Sequence, residues 1–200
     1  MRKFVFALFV LFLFGSVSEG SIRVLGGINL SRYAGVIPSG DNWKQKSGPD
    51  VGIGFNFGLG SYVSVEIEAL YRQAGSRLEH WFSGFHIYTL NYTLKEIYVP
   101  LLLKATFGNN FLHYFELGGA LSYVLSHDVA VEGDVEILVL PPDTKRVYPM
   151  VIFGLGFELP VGQIAVFTEI RYQYALTNIL TSEISSQKPQ GIVLLLGIGF

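Results

Sequence analysis

The sequence contains no cysteine among its 200 residues. Disulfide bonds, thiolate metal sites and cysteine nucleophiles are therefore excluded, as is a lipoprotein anchor, which needs a cysteine after the signal. Charged residues make up only 15% of the chain, and the formal net charge is −2. A chain this close to neutral carries no strongly basic surface, so no nucleic-acid partner is expected.

Helical periodicity is also missing from the sequence. No stretch after residue 20 keeps the 3.6-residue hydrophobic repeat of an amphipathic helix. The glycines of "GIGFNFGLG", residues 52–60, alternate within an apolar run and precede no helix, so they do not form a nucleotide-binding loop. We expect no cofactor.

The first twenty residues are typical of a secretory signal peptide. Arg2 and Lys3 precede an apolar run at 4–14, and small residues at 16–18 or 18–20 offer two cleavage sites. The run is too short to span a bilayer as a helix, which needs about 20 residues. The sequence predicts a cleaved signal peptide at 1–20 and an exported domain at 21–200. An uncleaved membrane anchor is the alternative.

After residue 20, polar and apolar residues alternate with a period of two in eight segments. These segments are about 21–31, 50–59, 62–73, 94–107, 113–125, 148–159, 163–175 and 190–200. Short turns separate some of them, whereas the connections 32–49, 74–93, 126–147 and 176–189 are long. Short turns at one end and long loops at the other are typical of up-and-down barrels in the bacterial outer membrane.

The alternation also predicts which side faces lipid. In the segment 62–73, Val63, Val65 and Ile67 share one face, and Glu66 and Glu68 share the other. Aromatic residues collect at both ends of the apolar rows, as they do at membrane interfaces. We therefore predict an all-β, eight-stranded antiparallel transmembrane β-barrel with a polar, plugged interior. A soluble, lipocalin-like barrel with the apolar rows inside is the alternative.

Polar side chains of both charges are predicted to face the interior. The predicted ionic network comprises Arg23, Glu66, Glu68, Arg72, Glu96, Lys104, Glu116, Glu158, Glu169 and Arg171, with Asn29 and Asn56 on the same face. Eight strands leave room only for side chains, so the network predicts a plug. An acid/base pair formed by Glu66 and Glu68 is the alternative.

Pro100 interrupts a segment that otherwise alternates. Proline removes a donor from the hydrogen-bond ladder, so we expect a bulge or a locally broken ladder. A bulge would swap the faces of every later residue in the strand, including Lys104.

The histidines offer little support for catalysis. His113 is predicted at the periplasmic end, and His80, His86 and His127 in outer loops. Neighbours in a strand point to opposite faces, so Ser126, His127 and Asp128 make a poor triad. His80, His86 and Glu79 lack a diagnostic metal-ligand spacing. We expect no catalytic, cofactor-binding or metal-binding residues.

The segment "RLEHWFSGFHIYTLNY", residues 77–92, has β-rich arms around a predicted hairpin tip at 83–84. A second hairpin tip is predicted around residues 132–134. Aromatic residues at the first tip form a candidate extracellular interaction rim: Trp81, Phe82, Phe85 and Tyr88. One hypothesis is that the rim binds an envelope protein or a surface glycan through these aromatic residues. Alternatively, these rings pack on one another or lie in the lipopolysaccharide layer.

Four phrases give the chain a family resemblance: "GGINLSRY" (26–33), "EIEALYRQAGS" (66–76), "EIYVPLLLKATFG" (96–108) and "EIRYQYALTNIL" (169–180). With them the chain resembles the PorT-like outer-membrane β-barrel family. The resemblance implies a small eight-stranded barrel, and a role as an accessory subunit of a secretion or surface-assembly machine. The final Phe200 resembles the C-terminal assembly signal read by the barrel assembly machinery.

These features predict a non-enzymatic outer-membrane protein with a structural or surface-interaction role through long extracellular loops. An accessory subunit of a secretion machine and a lipid-modifying enzyme are the alternatives. The expected partners are outer-membrane lipid and lipopolysaccharide, the barrel assembly machinery during biogenesis, and an envelope or surface protein.

Overall fold

The computed structural model describes residues 18–35, 41–83, 85–133, 143–180 and 187–200. The strands are β1 Ser18–Ala34, β2 Asp41–Gly58, β3 Val63–Phe82, β4 Phe85–Phe107, β5 Leu112–Glu132, β6 Val147–Val161, β7 Ile164–Ala175 and β8 Lys188–Gly199. Each strand pairs antiparallel with its neighbours in chain order, and β8 pairs with β1 to close the barrel. The predicted fold class is confirmed. The described residues include no helix long and apolar enough to cross a membrane.

The closed sheet is staggered around the barrel. Starting at Ile22 of β1, each residue can be followed to its paired residue on the next strand, once around the barrel. The path returns to β1 at Arg32, so the strands are staggered by ten residues. Strand number and stagger together fix the tilt, which is roughly 40° in small barrels. The interior is then only wide enough for side chains, and its contents decide whether anything can pass.

Large apolar side chains face outward where the barrel crosses the membrane. On β8, Leu194 and Leu196 are exposed, whereas the alternating residues Val193 and Leu195 are buried. Outward aromatic residues mark both ends of this apolar band. Phe107, Phe111, Phe115 and Phe157 lie at the end with short turns, and Tyr71, Tyr123 and Tyr172 lie at the other. The bilayer therefore covers the outer face between these two aromatic rings.

Two glycines of β6 make room for large inward side chains. A Cβ atom on Gly156 would lie 2.1 Å from Cζ of Tyr114, and one on Gly154 would lie 2.3 Å from Oε1 of Glu116. Neither distance is possible between real atoms. A larger residue at Gly156 would displace the Tyr114 ring, and one at Gly154 would force the Glu116 side chain to shift.

Strand segments replace most of the long loops predicted on the extracellular side. β2 begins at Asp41 instead of residue 50, β3 runs to Phe82 instead of 73, β4 begins at Phe85 instead of 94, and β5 runs to Glu132 instead of 125. Parts of the loops predicted at 32–49, 74–93 and 126–147 are strand instead, because the apolar residues move to the inner face above the membrane. The β-rich arms predicted within 77–92 are among these strands. The pairing of Phe82 with Phe85 confirms the first predicted hairpin. The second arm of the other predicted hairpin, from residue 134, lies outside the described residues.

Pro100 does not introduce a bulge. The register with β5 continues through the pair Pro100 and Ala120, and the register with β3 is the same at Leu101 and at Tyr98. The β3 ladder lacks the pairs opposite Val99 and Pro100, which is the locally broken ladder expected for proline. The faces therefore stay unswapped, and Lys104 points inward with 1% of its surface exposed.

The predicted signal peptide lies almost wholly outside the described residues, so its cleavage stays a prediction. β1 begins at Ser18, just before the predicted boundary at residue 20. The barrel closes through mutual backbone hydrogen bonds between Ile22 and Phe200, at 2.9 and 3.2 Å. Cleavage at either predicted site would leave this closure whole.

Candidate functional site

Buried charges fill the membrane-spanning interior in two layers. The lower layer, toward the short turns, centres on Arg171 of β7. Its two Nη groups donate to Glu68 at 2.6 Å, and its Nε donates to Glu116 at 2.6 Å. A third carboxylate, that of Glu169, lies 2.5 Å from Nη2. One guanidinium therefore holds carboxylates from three strands.

Two further cations complete the lower layer. The Nζ of Lys104 donates to Glu66 at 2.7 Å and lies 4.0 Å from the centre of the Tyr114 ring. Arg23 pairs with Glu158 and lies 3.5 Å from Glu66. These pairs connect β1, β3, β4 and β6 across the lumen.

The upper layer centres on Arg72 of β3. Its Nε and Nη2 donate to Asp50 at 2.9 and 2.6 Å, and its Nη1 donates to Gln173 at 2.7 Å. The guanidinium also lies 3.6 Å from the centre of the Tyr98 ring. Asn29 donates to Asp50 at 2.8 Å. The upper layer thus joins β1, β2, β3, β4 and β7.

The interior holds more acids than bases. Among the residues that the structure describes, the six glutamates of the predicted network and Asp50 face four buried basic side chains. Phenol groups supply further donors, from Tyr148 to Glu96 at 2.5 Å and from Tyr114 to Glu169 at 2.7 Å. A buried carboxylate without a cation is costly unless it accepts hydrogen bonds. The tyrosines therefore act as part of the ionic plug.

Sequence reasoning missed Asp50 and the tyrosine donors. Asp50 alternates in phase with Gly52 and Gly54 on β2, so its inward direction could have been predicted. The predicted strand begins at residue 50, but the predicted inward set includes Asn56 of this strand and not Asp50. Tyr114 and Tyr148 are amphipathic and fit either face, so the alternation alone did not assign a role to their hydroxyl groups.

An aromatic layer closes the barrel above the charges. The rings of Tyr33, Trp43 and Tyr92 pack edge to face, with centroids 5.3 to 5.9 Å apart. His127 shares a hydrogen bond with the Tyr33 hydroxyl at 3.0 Å and another with the Thr144 hydroxyl at 2.7 Å. Burial lowers the pKa of His127 to about 4, so its ring is neutral at neutral pH. This layer is the apolar core of the extracellular extension.

The residues of the candidate interaction rim do not share one face of the sheet: Trp81 is exposed, whereas Tyr88 is half-buried. Trp81 is exposed, donates to Glu79 at 3.4 Å and packs edge-on against His86. Tyr88 is half-buried and stacks on His80 with ring centroids 4.8 Å apart. The side chains of the remaining two rim residues, Phe82 and Phe85, lie outside the described residues, although their backbones pair at the hairpin.

The histidines of the extension have structural partners. His80 pairs with Asp41 at 2.5 Å, and His86 shares a hydrogen bond with Thr89 at 2.9 Å. The hydroxyl of Ser126 bonds to Asp128 on the outer face, opposite the buried His127. Among the residues that the structure describes, no group of His, Asp and Glu side chains is arranged to hold a metal ion.

Phe200, the predicted assembly signal, is exposed on the lipid-facing side at the short-turn end. Its backbone closes the ring onto β1, whereas its side chain contributes little to the interior. The position leaves the aromatic ring accessible from the membrane interface.

A family model described as "Outer membrane protein beta-barrel domain" matches residues 18–181. The chain belongs to this outer-membrane β-barrel family. It is therefore a bacterial outer-membrane protein, and the apolar outer face described above is its lipid-facing surface. The soluble, lipocalin-like alternative is excluded.

Two solved outer-membrane barrels share the architecture of this chain. The outer membrane protein OprG from Pseudomonas aeruginosa matches with a TM-score of 0.54 and 13% sequence identity. The match covers 92% of this chain and 95% of the OprG chain. Neisserial surface protein A (NspA) matches with a TM-score of 0.51 and 11% sequence identity. The match covers 91% of this chain and 100% of the NspA chain. At this identity the likeness concerns the fold alone. Among curated proteins, none matches the sequence of this chain significantly.

Proposed function

We propose that this outer-membrane barrel is a non-enzymatic scaffold that presents an interaction surface to the cell exterior. The observation that carries the proposal is the filled interior. Two layers of paired charges and one layer of packed aromatic rings lie one above another along the barrel axis. A lumen filled in this way favours a function exercised at the surface over passage of solutes.

The extracellular extension supplies such a surface. β3 continues eleven residues beyond the interfacial Tyr71 to Phe82, which is roughly 35 Å of strand. The outward side chains of the extension are polar, including Lys44 of β2 and Arg77 and Glu79 of β3, and the large apolar side chain of Trp81 near the tip is exposed. An exposed tryptophan on a rigid support is a typical anchor residue of a protein interface.

Photo-crosslinking in intact cells tests this proposal. A photoreactive phenylalanine analogue replaces Trp81 in one strain and Arg77, an exposed residue lower on the same strand, in the control strain. We expect one discrete crosslinked envelope or surface protein from position 81 and none from position 77. No adduct from position 81, or the same adducts from both positions, contradicts the proposal.

The PorT-like resemblance adds a narrower hypothesis, that the partner belongs to a secretion or surface-assembly machine. Stoichiometric recovery of machine subunits with the barrel supports it. Conversely, altered lipid A in a deletion strain would favour the lipid-modifying enzyme and contradict the non-enzymatic assignment. Processing of the signal peptide and folding by the barrel assembly machinery complete the proposed route to the membrane.

A further inference from the structure

Two basic side chains lie on the outer face immediately above the apolar band. Arg32 follows Leu30 in the outward row of β1, and Lys188 precedes Ile192 in the outward row of β8. Arg32 is opposite Gln190 in the ladder, so Lys188 is its diagonal neighbour on the same face. Diagonal neighbours in a sheet lie about 7 Å apart, close enough for both side chains to contact one group.

These cations have no carboxylate partner among the described residues. By contrast, Lys44, higher on the same extension, lies 3.7 Å from Glu79. The Nζ of Lys188 lies 5.8 Å from the centre of the ring of the interfacial Tyr174. Within the described ranges, no acid neutralises either charge.

A groove of about 190 Å³ lies beside Arg32 on the outer face, and Lys188 follows on β8 just beyond its extracellular end. Arg32, Gln45 and Gln190 line its extracellular part, and Leu30 and Ile192 line the part toward the membrane. The Tyr172 hydroxyl donates to Gln190 at 3.1 Å, which fixes the amide at the boundary. The groove is therefore cationic and polar above and apolar below.

The depth of the groove matches the headgroup region of the outer leaflet. Tyr172 and Tyr174 mark the membrane interface on the adjacent strand, and the apolar band begins below them. In the outer leaflet, the phosphate groups of lipopolysaccharide lie at this level, directly above the acyl chains. Arginine and lysine favour phosphate through charge-assisted hydrogen bonds, and basic pockets at membrane surfaces bind anionic lipid headgroups.

We propose that this groove binds the lipid A portion of lipopolysaccharide. A phosphate lies between Arg32 and Lys188, and one acyl chain lies over Leu30 and Ile192. Free phosphate would leave the apolar part of the groove unused, so the glycolipid is the occupant that fits both parts. The site is independent of the rim at Trp81, and either proposal can fail without the other.

Native mass spectrometry of the purified full-length barrel in detergent tests the site, with diphosphorylated lipid A as the probe. The double variant Arg32→Gln with Lys188→Gln should bind about 25-fold more weakly, from about fivefold for each cation near a membrane surface. Lys44→Gln is the matched control and should bind like the unchanged protein. All variants must keep the heat-dependent gel mobility of a folded barrel, which exposed substitutions should not alter.

Dephosphorylated lipid A and inorganic phosphate separate the two parts of the groove. Dephosphorylated lipid A should bind the unchanged barrel as weakly as lipid A binds the double variant. Inorganic phosphate should fail to displace lipid A at equal concentration. Equal lipid A binding by the double variant and the unchanged barrel overturns the proposal, as does equally tight binding of inorganic phosphate.

Discussion

Replacement of Arg171 by methionine tests the ionic plug in its most connected position. Arg171 is 1% exposed, and its guanidinium contacts Glu68, Glu116 and Glu169. Methionine has a similar length, so the change removes the charge and its five donors while leaving most of the volume occupied. Three buried carboxylates then lose their shared partner.

The expected loss follows from the cost of leaving buried charges unpaired. Removal of one partner of a buried pair destabilises a protein by about 3–5 kcal/mol. Because proton uptake or water entry can relieve part of that cost here, we expect Arg171→Met to lower the free energy of unfolding by about 4 kcal/mol. Arg171→Lys keeps the charge but loses the bidentate contact to Glu68, so a loss of about 2 kcal/mol is expected.

Urea unfolding of the barrel in lipid vesicles measures these changes. The two tryptophans report on different levels, since Trp43 is buried in the aromatic layer and Trp81 is exposed at the tip. Lys44→Gln is the control, because its partly exposed pair with Glu79 should contribute no more than about 0.5 kcal/mol. A loss below about 1 kcal/mol for Arg171→Met would refute the reasoning, since the carboxylates would then be stable without the arginine.

Three further predictions concern other parts of the barrel. Gly156→Ala places a Cβ 2.1 Å from the Tyr114 ring and should destabilise the barrel by about 2 kcal/mol in urea unfolding, whereas Gly26→Ala meets nothing within 4 Å and should not; equal effects contradict the packing. The pKa of His127 is lowered from 6.5 to about 4, so the unfolded state binds the proton first and stability should fall between pH 6.5 and 4, by up to about 3 kcal/mol. His127→Gln should remove that part of the pH dependence of the urea midpoint, and an unchanged pH profile contradicts the assignment. Phe200→Ser should reduce the folded barrel recovered from cells but leave refolding in vitro unchanged; a defect in both, or in neither, argues against an assembly signal.

The face of each residue in the membrane-spanning strands could be predicted from the sequence. A period of two places Glu66, Glu68 and Arg72 on one side of β3 regardless of the partner strands. The structure places the whole set of predicted inward charges in the lumen for this reason. Which acid contacts which base could not be predicted from the sequence. The contacts depend on how far the strands are staggered around the barrel, which is the ten residues from Ile22 to Arg32.

The inward or outward direction of side chains was harder to predict in the extracellular half. Both the side that carries the apolar residues and the phase of the alternation change there. The apolar residues move from the outer to the inner face, so Trp43 and Tyr92 belong to a core of the kind found in soluble proteins. A register shift between Lys95 and Glu96 also reverses the alternation of β5. Tyr123 therefore faces out and His127 faces in, although their positions differ by an even number. A bulge leaves no signal in a single alternating sequence.

Spin-label accessibility along the outer row of β8 tests the central claim most directly, that the apolar face contacts lipid and the charged face is enclosed. Because the chain has no cysteine, single cysteines can be placed at Leu196, Leu194, Ile192, Gln190 and Lys188 without a background. In native outer membranes, oxygen should reach labels at the two leucines most readily, and a water-soluble nickel reagent should reach only labels from Gln190 outward. Free access of the nickel reagent to Leu194 and Leu196 would contradict the account.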